Sequence, residues 1–369
     1  MDGGHDTMRT ATFLLLVIIG FSAQGQGCIP VRNIVGFGQF MNAGYPGFDT
    51  PGSWHLNVNA RHVKIARSYV GSDERTNLPS EDERINMSLT MNIGIIHLLS
   101  DGWAVAMDFP IASNSRKTWQ EHDPTNTQKI HHTVHSFGVG DIRITAYKWL
   151  LSTTKIRRGN IQVGLGLKFP TGDYKYQDYF HKATGKIVAP VNSTIQLGDG
   201  GTGFTTELNL YYNISGSISI YGNFFYLINP RDHNGVSSID GGGTPDTLQV
   251  YAGDFTNSVP DSYSARAGLN FTAKKFVFSS GARVEGQPTY DLIGESSGTR
   301  RAGYTISIEP GISYKLRRSI VYLLIPLSIR RTTQQTVPDK IKSQVQGKYI
   351  VSSGGFADYM IFAGAVFRL

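Results

Sequence analysis

The sequence predicts an all-β fold: a single antiparallel transmembrane β-barrel of about twelve strands, with long extracellular loops and short periplasmic turns. Three observations lead to this fold. Apolar and polar side chains alternate in segment after segment, the connections alternate between short and long, and the composition combines 42 glycines, 18 tyrosines and 19 phenylalanines with only 17% charged residues. After the N-terminus, no uninterrupted apolar run approaches the ~18 residues that a spanning helix requires. A helical membrane protein is therefore excluded.

The clearest alternation lies between residues 160 and 169. Successive side chains of a strand point to opposite faces. One face here carries Ile161, Val163, Leu165, Leu167 and Phe169, and the other carries Gln162, Gly164, Gly166 and Lys168. An apolar face and a glycine-rich polar face suit a barrel wall in lipid, but they also suit a soluble sandwich whose apolar face points inward. The choice between these two folds depends on how often the pattern recurs and on the lengths of the connections.

The same alternation recurs along the chain and predicts twelve strands. Their approximate bounds are 54–70, 84–99, 103–111, 137–151, 160–169, 204–212, 217–228, 262–272, 275–286, 304–314, 319–330 and 358–369.

The connections between these strands alternate in length. The short ones are 100–102, 152–159, 213–216, 273–275 and 315–318, and the long ones are 71–83, 112–133, 171–203, 229–260, 287–301 and 331–357. With a periplasmic N-terminus, every long loop lies outside and both ends of the barrel chain lie inside, as in bacterial outer-membrane barrels with an even strand number. In hydrocarbon, only a closed sheet gives each strand's backbone groups a partner. We expect the cell outer membrane of a Gram-negative bacterium, with membrane lipid around the wall.

The two chain ends carry export signals. Residues 11–21 are apolar, follow Arg9 and precede Ala23-Gln24-Gly25, a pattern typical of a signal peptide. We expect residues 1–25 to be the signal peptide, 26–52 a periplasmic arm and 53–369 the barrel. The C-terminal residues 366–369 are similar to the final-strand signal that barrel-insertion machinery reads, although the last residue is Leu369 where Phe is usual.

Cys28 is the only cysteine, so an intramolecular disulfide is excluded. It is either an inert thiol in the arm or a lipidation site, and Gln26 makes the preceding residues a poor lipobox. The formal net charge of +7 could suggest nucleic acid as a partner. An exported chain does not usually meet nucleic acid, so we expect none.

Three blocks carry a family resemblance: GVGDIRITAYKWLL at 138–151, LGLKFPTGDYKY at 165–176 and IQLGDGGTGFTTELNLYY at 195–212. In this order they resemble outer-membrane proteins of the "meta-pathway of phenol degradation" or putative transporter family, over about residues 137–229. The resemblance implies a single β-barrel and passage of small, often aromatic or hydrophobic, molecules across the outer membrane. It implies no catalytic residues.

Strand parity places a set of polar and charged side chains inside the barrel. The charged members are Arg61, Asp141, Arg143, Lys168, Glu207, Arg266, Arg283, Glu285 and Glu309, accompanied by Asn57, Asn59, Tyr147, Tyr211 and Tyr221. Two roles remain open. The charges could neutralise one another as an ion-pair network, because a buried unpaired charge is costly. Alternatively, the four arginines could form a selectivity lining that attracts anions or aromatic carboxylates. The spacing predicts that Asp141 and Arg143 pair with each other.

The loops offer weaker candidates for chemistry. We expect Pro170 to Asp173 to form a turn in which Gly172 takes a positive φ. The glycine-rich stretches 197–201 and 238–246 lack the ligand spacing of a calcium loop and the lysine of a phosphate loop, so we expect flexible extracellular loops. The acidic residues of the loop 229–260 leave weak divalent-cation binding as an alternative.

Histidine offers no metal or catalytic site by spacing. His131, His132 and His135 form the only local cluster, and we expect solvated histidines at the barrel rim and no metal. A lipid-hydrolysing barrel would favour His-x-Ser on one strand, and no histidine has a serine two residues later. We therefore expect no enzyme and no cofactor.

The function predicted from these observations is an outer-membrane channel or transporter for passive passage of a small-molecule permeant. The alternative is a non-transporting barrel with a plugged lumen, whose loops serve surface binding, adhesion or a structural role.

Overall fold

A computed structural model describes residues 50–76, 84–100, 102–123, 128–152 and 158–369. The expected signal peptide, nearly all of the expected arm and Cys28 lie outside the described residues. The strands are, in chain order, β1 (Trp54–Val70), β2 (Asp73–Glu74), β3 (Ile85–Ser100), β4 (Trp103–Thr118), β5 (His132–Val139), β6 (Arg143–Trp149), β7 (Gly159–Lys168), β8 (Gln177–Lys182), β9 (Gly185–Pro190), β10 (Gly203–Asn213), β11 (Ile218–Ile228), β12 (His233–Ser237), β13 (Thr256–Ser258), β14 (Ser262–Ala273), β15 (Phe276–Gln287), β16 (Gly303–Lys315), β17 (Ser319–Leu324), β18 (Leu327–Thr333) and β19 (Gly354–Arg368). The helices are α1 (Thr247–Ala252) and α2 (Val337–Gln346).

The main sheet closes on itself as an antiparallel barrel. Neighbouring barrel strands pair in chain order, and β19 pairs with β1 in a ladder that runs from His55 opposite Arg368 to Tyr69 opposite Gly354. Two of the barrel strands are interrupted: β5 continues as β6, and β17 continues as β18. Counting each interrupted pair as one, the ring has twelve strands, which confirms the predicted fold and strand number.

Each interruption lies opposite a proline. Pro110 lies beside the break between β5 and β6, where its carbonyl oxygen accepts a hydrogen bond from the N–H of Gly140 at 2.8 Å. Pro310 lies beside the break between β17 and β18 and accepts from Ile325 at 3.0 Å. Proline has no N–H to donate, so the neighbouring strand loses a ladder bond there and bends away. The sequence analysis treated both interrupted strands as continuous.

The strand bounds agree best where the apolar alternation is regular. β1 runs over the predicted 54–70. The prediction was wrong at 112–133, because β4 continues to Thr118 and β5 already begins at His132. Residues 111–118 pair with 132–139 although most of these side chains are polar. The ladder therefore extends beyond the apolar zone that made it recognisable.

The wall has its apolar side chains outside, as predicted. Leu165 in β7 is 62% exposed and Leu269 in β14 is 54% exposed, whereas the alternate side chains are largely buried inside. A soluble sandwich would bury the apolar face. Among the residues that the structure describes, no helix is long and apolar enough to cross a membrane.

The connections divide between two ends of the barrel. The short-turn end carries the tight turns such as Lys274 between β14 and β15, and the long-loop end carries the hairpins β1–β2, β8–β9 and β12–β13 together with α1 and α2. Both helices begin with a capping box, formed by Asp246 with Gln249 and by Thr336 with Asp339. Such boxes satisfy the free N–H groups of a helix start, so each of these two long loops contains a defined helix.

Candidate functional site in the barrel lumen

Four charged side chains of β14, β15 and β16 form one network inside the wall. The Nε atom of Arg266 donates to Glu309 Oε1 at 2.9 Å. Arg283 donates to Glu285 Oε2 at 2.6 Å and lies 3.4 Å from Glu309 Oε2. The four side chains are between 1% and 7% exposed, and their formal charges cancel. This arrangement is the neutralising network that a low-dielectric interior requires.

A second network surrounds Arg143 in β6. Its guanidinium donates to Asp108 Oδ2 at 2.8 Å and to Glu207, which also accepts from the Tyr147 hydroxyl at 2.9 Å. The ring of Phe225 lies 5.4 Å from the guanidinium carbon, a distance at which a cation interacts with an aromatic face. The Arg143 guanidinium thus contacts both carboxylates and an aromatic ring.

The predicted pair of Asp141 and Arg143 was wrong. Asp141 lies in the interruption between β5 and β6, where strand parity does not hold, and its carboxylate lies 3.7 Å from Lys168 Nζ. Lys168 also pairs with Asp199. A third network therefore links the barrel wall to a loop residue.

The structure places the other predicted lumen residues as follows. Arg61 is buried in β1 and donates to Thr90 Oγ1 at 3.3 Å. Tyr147 and Tyr221 are buried, and Tyr211 is partly buried. Asn57 and Asn59 are buried at the inner face of β1.

Residues 191–201, the inner segment, fold into the barrel from the long-loop end. A short 3-10 helix, Ser193–Ile195, begins at Asn192, whose side chain accepts from the Thr194 N–H at 3.0 Å. The carbonyl oxygen of Ile195 accepts from Ser136 and from Asn114, the latter at 3.2 Å. The inner segment is thus tied to the barrel wall, and the expectation of a flexible extracellular loop at 197–201 was wrong.

A close approach of two glycines completes this attachment. A Cβ atom on Gly172 would lie 2.6 Å from the carbonyl oxygen of Leu197, and one on Gly198 would lie 2.6 Å from Asp141 Oδ1. Gly172 does not take a positive φ, contrary to expectation. Glycine stands at 172 because two backbones meet there, which spacing in the sequence does not reveal.

The inner segment separates two cavities. The larger, with about 1030 Å³ of empty space that includes open solvent, is lined on the wall side by Arg143, Lys168, Phe225 and Leu227 among others. The smaller, with about 580 Å³ counted in the same way, is lined by residues that include Arg61, Val63 and Asn114. Gln196 lines both cavities. The inner segment is therefore the partition of this part of the lumen.

Toward the short-turn end, the lumen side of several strands is apolar. Ile96 and Leu98 of β3, Ile320 and Tyr322 of β17 and Val366 of β19 belong to one buried cluster. The alternation of side chains along the strands predicted a polar interior. This prediction is wrong here because both faces of these strand ends carry apolar residues. The apolar cluster therefore fills part of the lumen side of these strands.

The histidines group differently from the prediction. His132 lies with His122 and His181, whereas His131 and His135 do not belong to this group. His122 lies earlier in the connection between β4 and β5, and His181 comes from β8, so local spacing could not reveal this group. Within the described ranges, no set of three or more His, Cys, Asp or Glu side chains is arranged to hold a metal ion.

The fold defines the class: a closed twelve-stranded β-barrel with an apolar outer wall and a polar lumen. No protein-family model matches the chain. No curated protein matches it either.

Among solved structures, the chain is similar to the COG4313 outer membrane channel from Pseudomonas putida F1. The TM-score is 0.55 at 11% sequence identity, covering 88% of this chain and 99% of that one. This likeness shows the shared fold. The toluene transporter TbuX from Ralstonia pickettii gives a TM-score of 0.41 at 9% identity, covering 87% of this chain and 90% of that one.

Proposed function

We propose that the protein is an outer-membrane channel for passive passage of small molecules, hydrophobic or aromatic ones among them. The observation that carries this proposal is the pair of cavities inside a closed barrel with a lipid-compatible wall. The long-loop end faces the outside of the cell in this proposal. The solved channel with the same fold, and the resemblance to the phenol meta-pathway family, support it.

The lining disfavours an anionic permeant. Arg143, Arg266 and Arg283 each contact carboxylates, and Lys168 lies between Asp141 and Asp199. The two cations beside the larger cavity, Arg143 and Lys168, contact four carboxylates, so this lining offers no excess of positive charge to an anion. Phe225 and Leu227 add apolar surface beside these polar groups in the larger cavity. We therefore propose that the predicted lumen residues act through local polar contacts with an uncharged or aromatic molecule, and not as a free anion-attracting lining.

The second candidate is a non-transporting barrel, which the buried apolar cluster at the short-turn end favours. Liposome swelling with neutral solutes of increasing size separates the two. Entry of small neutral solutes, with a cutoff, is the expected result. A barrel that inserts correctly, yet supports neither swelling nor single-channel current, would overturn the channel proposal and leave the plugged barrel.

Two further proposals concern export. Residues 1–25 serve as a signal peptide, and β19 carries the signal for barrel-insertion machinery. Mass spectrometry of the mature N-terminus in outer-membrane fractions tests the first. Loss of insertion on replacing Phe367 tests the second, with exposed Tyr349 in the long loop before β19 as the control position.

A further inference from the structure

Three histidine rings meet at the long-loop end, each from a different element. His122 lies in the turn after β4, His132 begins β5 and His181 lies in β8. The rings of His132 and His181 are stacked with centroids 3.8 Å apart and planes 3° apart. The ring of His122 lies 5.0 Å from His132 and 5.7 Å from His181. We call these three residues the histidine cluster.

The contacts of His122 require a neutral ring. Its Nδ1 atom accepts a hydrogen bond from the main-chain N–H of His181 at 3.0 Å. Its Nε2 atom is buried, and the described residues provide it with no hydrogen-bond partner. A proton added at Nδ1 would point at the His181 N–H, so protonation removes this hydrogen bond. Burial, together with the neighbouring His132 and His181, lowers the pKa of His122 to about 4.

The surroundings add more positive than negative charge. Lys182 follows His181 and donates to the carbonyl oxygen of Glu121 at 3.0 Å. Lys186, in β9, adds a positive charge near His132. Asp178 provides an opposing carboxylate, which accepts from the His135 N–H at 2.7 Å. The Glu121 carboxylate is engaged by Arg116. Protons added to two stacked rings would therefore repel each other in a site that is already positive.

The hairpin that carries His181 leads directly into the inner segment. β8 and β9 span Gln177 to Pro190, and the inner segment begins at the next residue. Phe180 and Ala189 of the hairpin share a buried cluster with Val134 of β5 and Ile195 of the inner segment. The position of the hairpin and the position of the inner segment are thus mechanically linked.

We propose that the histidine cluster is an acid-sensitive latch that holds the β8–β9 hairpin against β5, and that its protonation loosens the inner segment. Because the inner segment separates the two cavities, its displacement joins them and raises conductance. The latch goes beyond the proposed function, and only its conductance consequence rests on that function.

Hydrogen–deuterium exchange tests the latch without any assumption about transport. In the purified protein, exchange of peptides from 177–190, corrected for intrinsic rates, should be about tenfold faster at pH 5 than at pH 7.5, a change equivalent to about one pKa unit. The variant His122→Gln should remove most of this difference, and the triple variant with His132→Gln and His181→Gln should remove it entirely. His131→Gln, next to the cluster but outside it, should behave as the unmodified protein. Exchange that is independent of pH would overturn the latch.

Single-channel recordings test the coupling. Conductance should rise between pH 7.5 and pH 5, and His132→Lys, which fixes a positive charge in the stack, should raise it already at pH 7.5. Conductance that stays constant while hairpin exchange changes would overturn the link to the inner segment. Absence of current at every pH, with pH-dependent exchange retained, would instead overturn the channel proposal and support the latch alone.

Discussion

The guanidinium of Arg266 and the carboxylate of Glu309 form an ion pair with side chains only 2% and 1% exposed, inside the barrel wall. Glu309 also lies within 3.4 Å of Arg283, so one carboxylate serves two guanidinium groups of neighbouring strands. Its removal would leave two buried cations with a single remaining partner, Glu285.

We expect Glu309→Ala to lower the free energy of unfolding by about 3–5 kcal/mol, the usual result of breaking a buried pair from one side. Urea unfolding in lipid vesicles measures the change. The exposed Glu295 provides the control, since Glu295→Ala should shift stability by no more than about 0.5 kcal/mol. Equal effects of the two variants would contradict a structural role for the network.

The outer wall makes a prediction about depth in the membrane. Leu165 projects outward near the middle of β7, and Leu165→Arg should cost about 2–4 kcal/mol because a charge on the lipid face is most unfavourable at mid-depth. Ile214 is similarly exposed but lies in a short turn, and Ile214→Arg should cost about 0–1 kcal/mol. Unfolding of the two variants from lipid bilayers measures both free-energy costs. A cost at position 165 no greater than that at 214 would argue against lipid around this wall.

The close approach at Gly172 predicts a change in the lumen. Gly172→Ala places a methyl group against the Leu197 carbonyl oxygen, so the inner segment must move away from the wall. We expect a higher single-channel conductance and faster exchange of peptides covering 191–201. Gly216, in the short turn between β10 and β11, has nothing within 4 Å of an added Cβ and no positive φ, so it gives a comparison without a clash and without backbone strain. Gly216→Ala should leave conductance unchanged.

The buried His122 predicts a pH-dependent stability. A histidine with a lowered pKa stabilises the folded state fully above its unfolded pKa, here about 6.5, and this contribution is lost as pH falls toward about 4. The melting temperature should therefore fall between pH 6.5 and pH 4, and it should fall less in His122→Gln. Calorimetry of the two proteins across this pH range provides the measurement, and parallel pH profiles would refute it.

The barrel could be predicted from sequence because its physics is local and repeated. Alternation with period two assigns a face to each residue, and loop lengths order the strands, so the inner position of Arg266 or Glu207 follows from counting. The partners of Asp141 and Arg143 could not be predicted by counting along the strands, because the strand interruption opposite Pro110 changes the orientation of Asp141.

The lumen contents were harder to predict for a different reason. The inner segment is a glycine-rich polar stretch with no period, and its place depends on hydrogen bonds to Asn114 and Ser136 on distant strands. His122 and His181 meet only because two loops fold over the same rim. Such contacts depend on tertiary structure, which a single sequence does not encode as a local pattern.

The ladder between β1 and β19 joins the two ends of the described barrel, with the N–H of Leu369 bonded to the carbonyl oxygen of Trp54. Loop-closure entropy is greatest for the most distant segments, so this seam is the strand pairing with the largest entropic cost of closure. Until this seam closes, the sheet has two edge strands with unpaired backbone N–H and C=O groups. A truncated chain without its last strand would keep both edges exposed and be prone to aggregation.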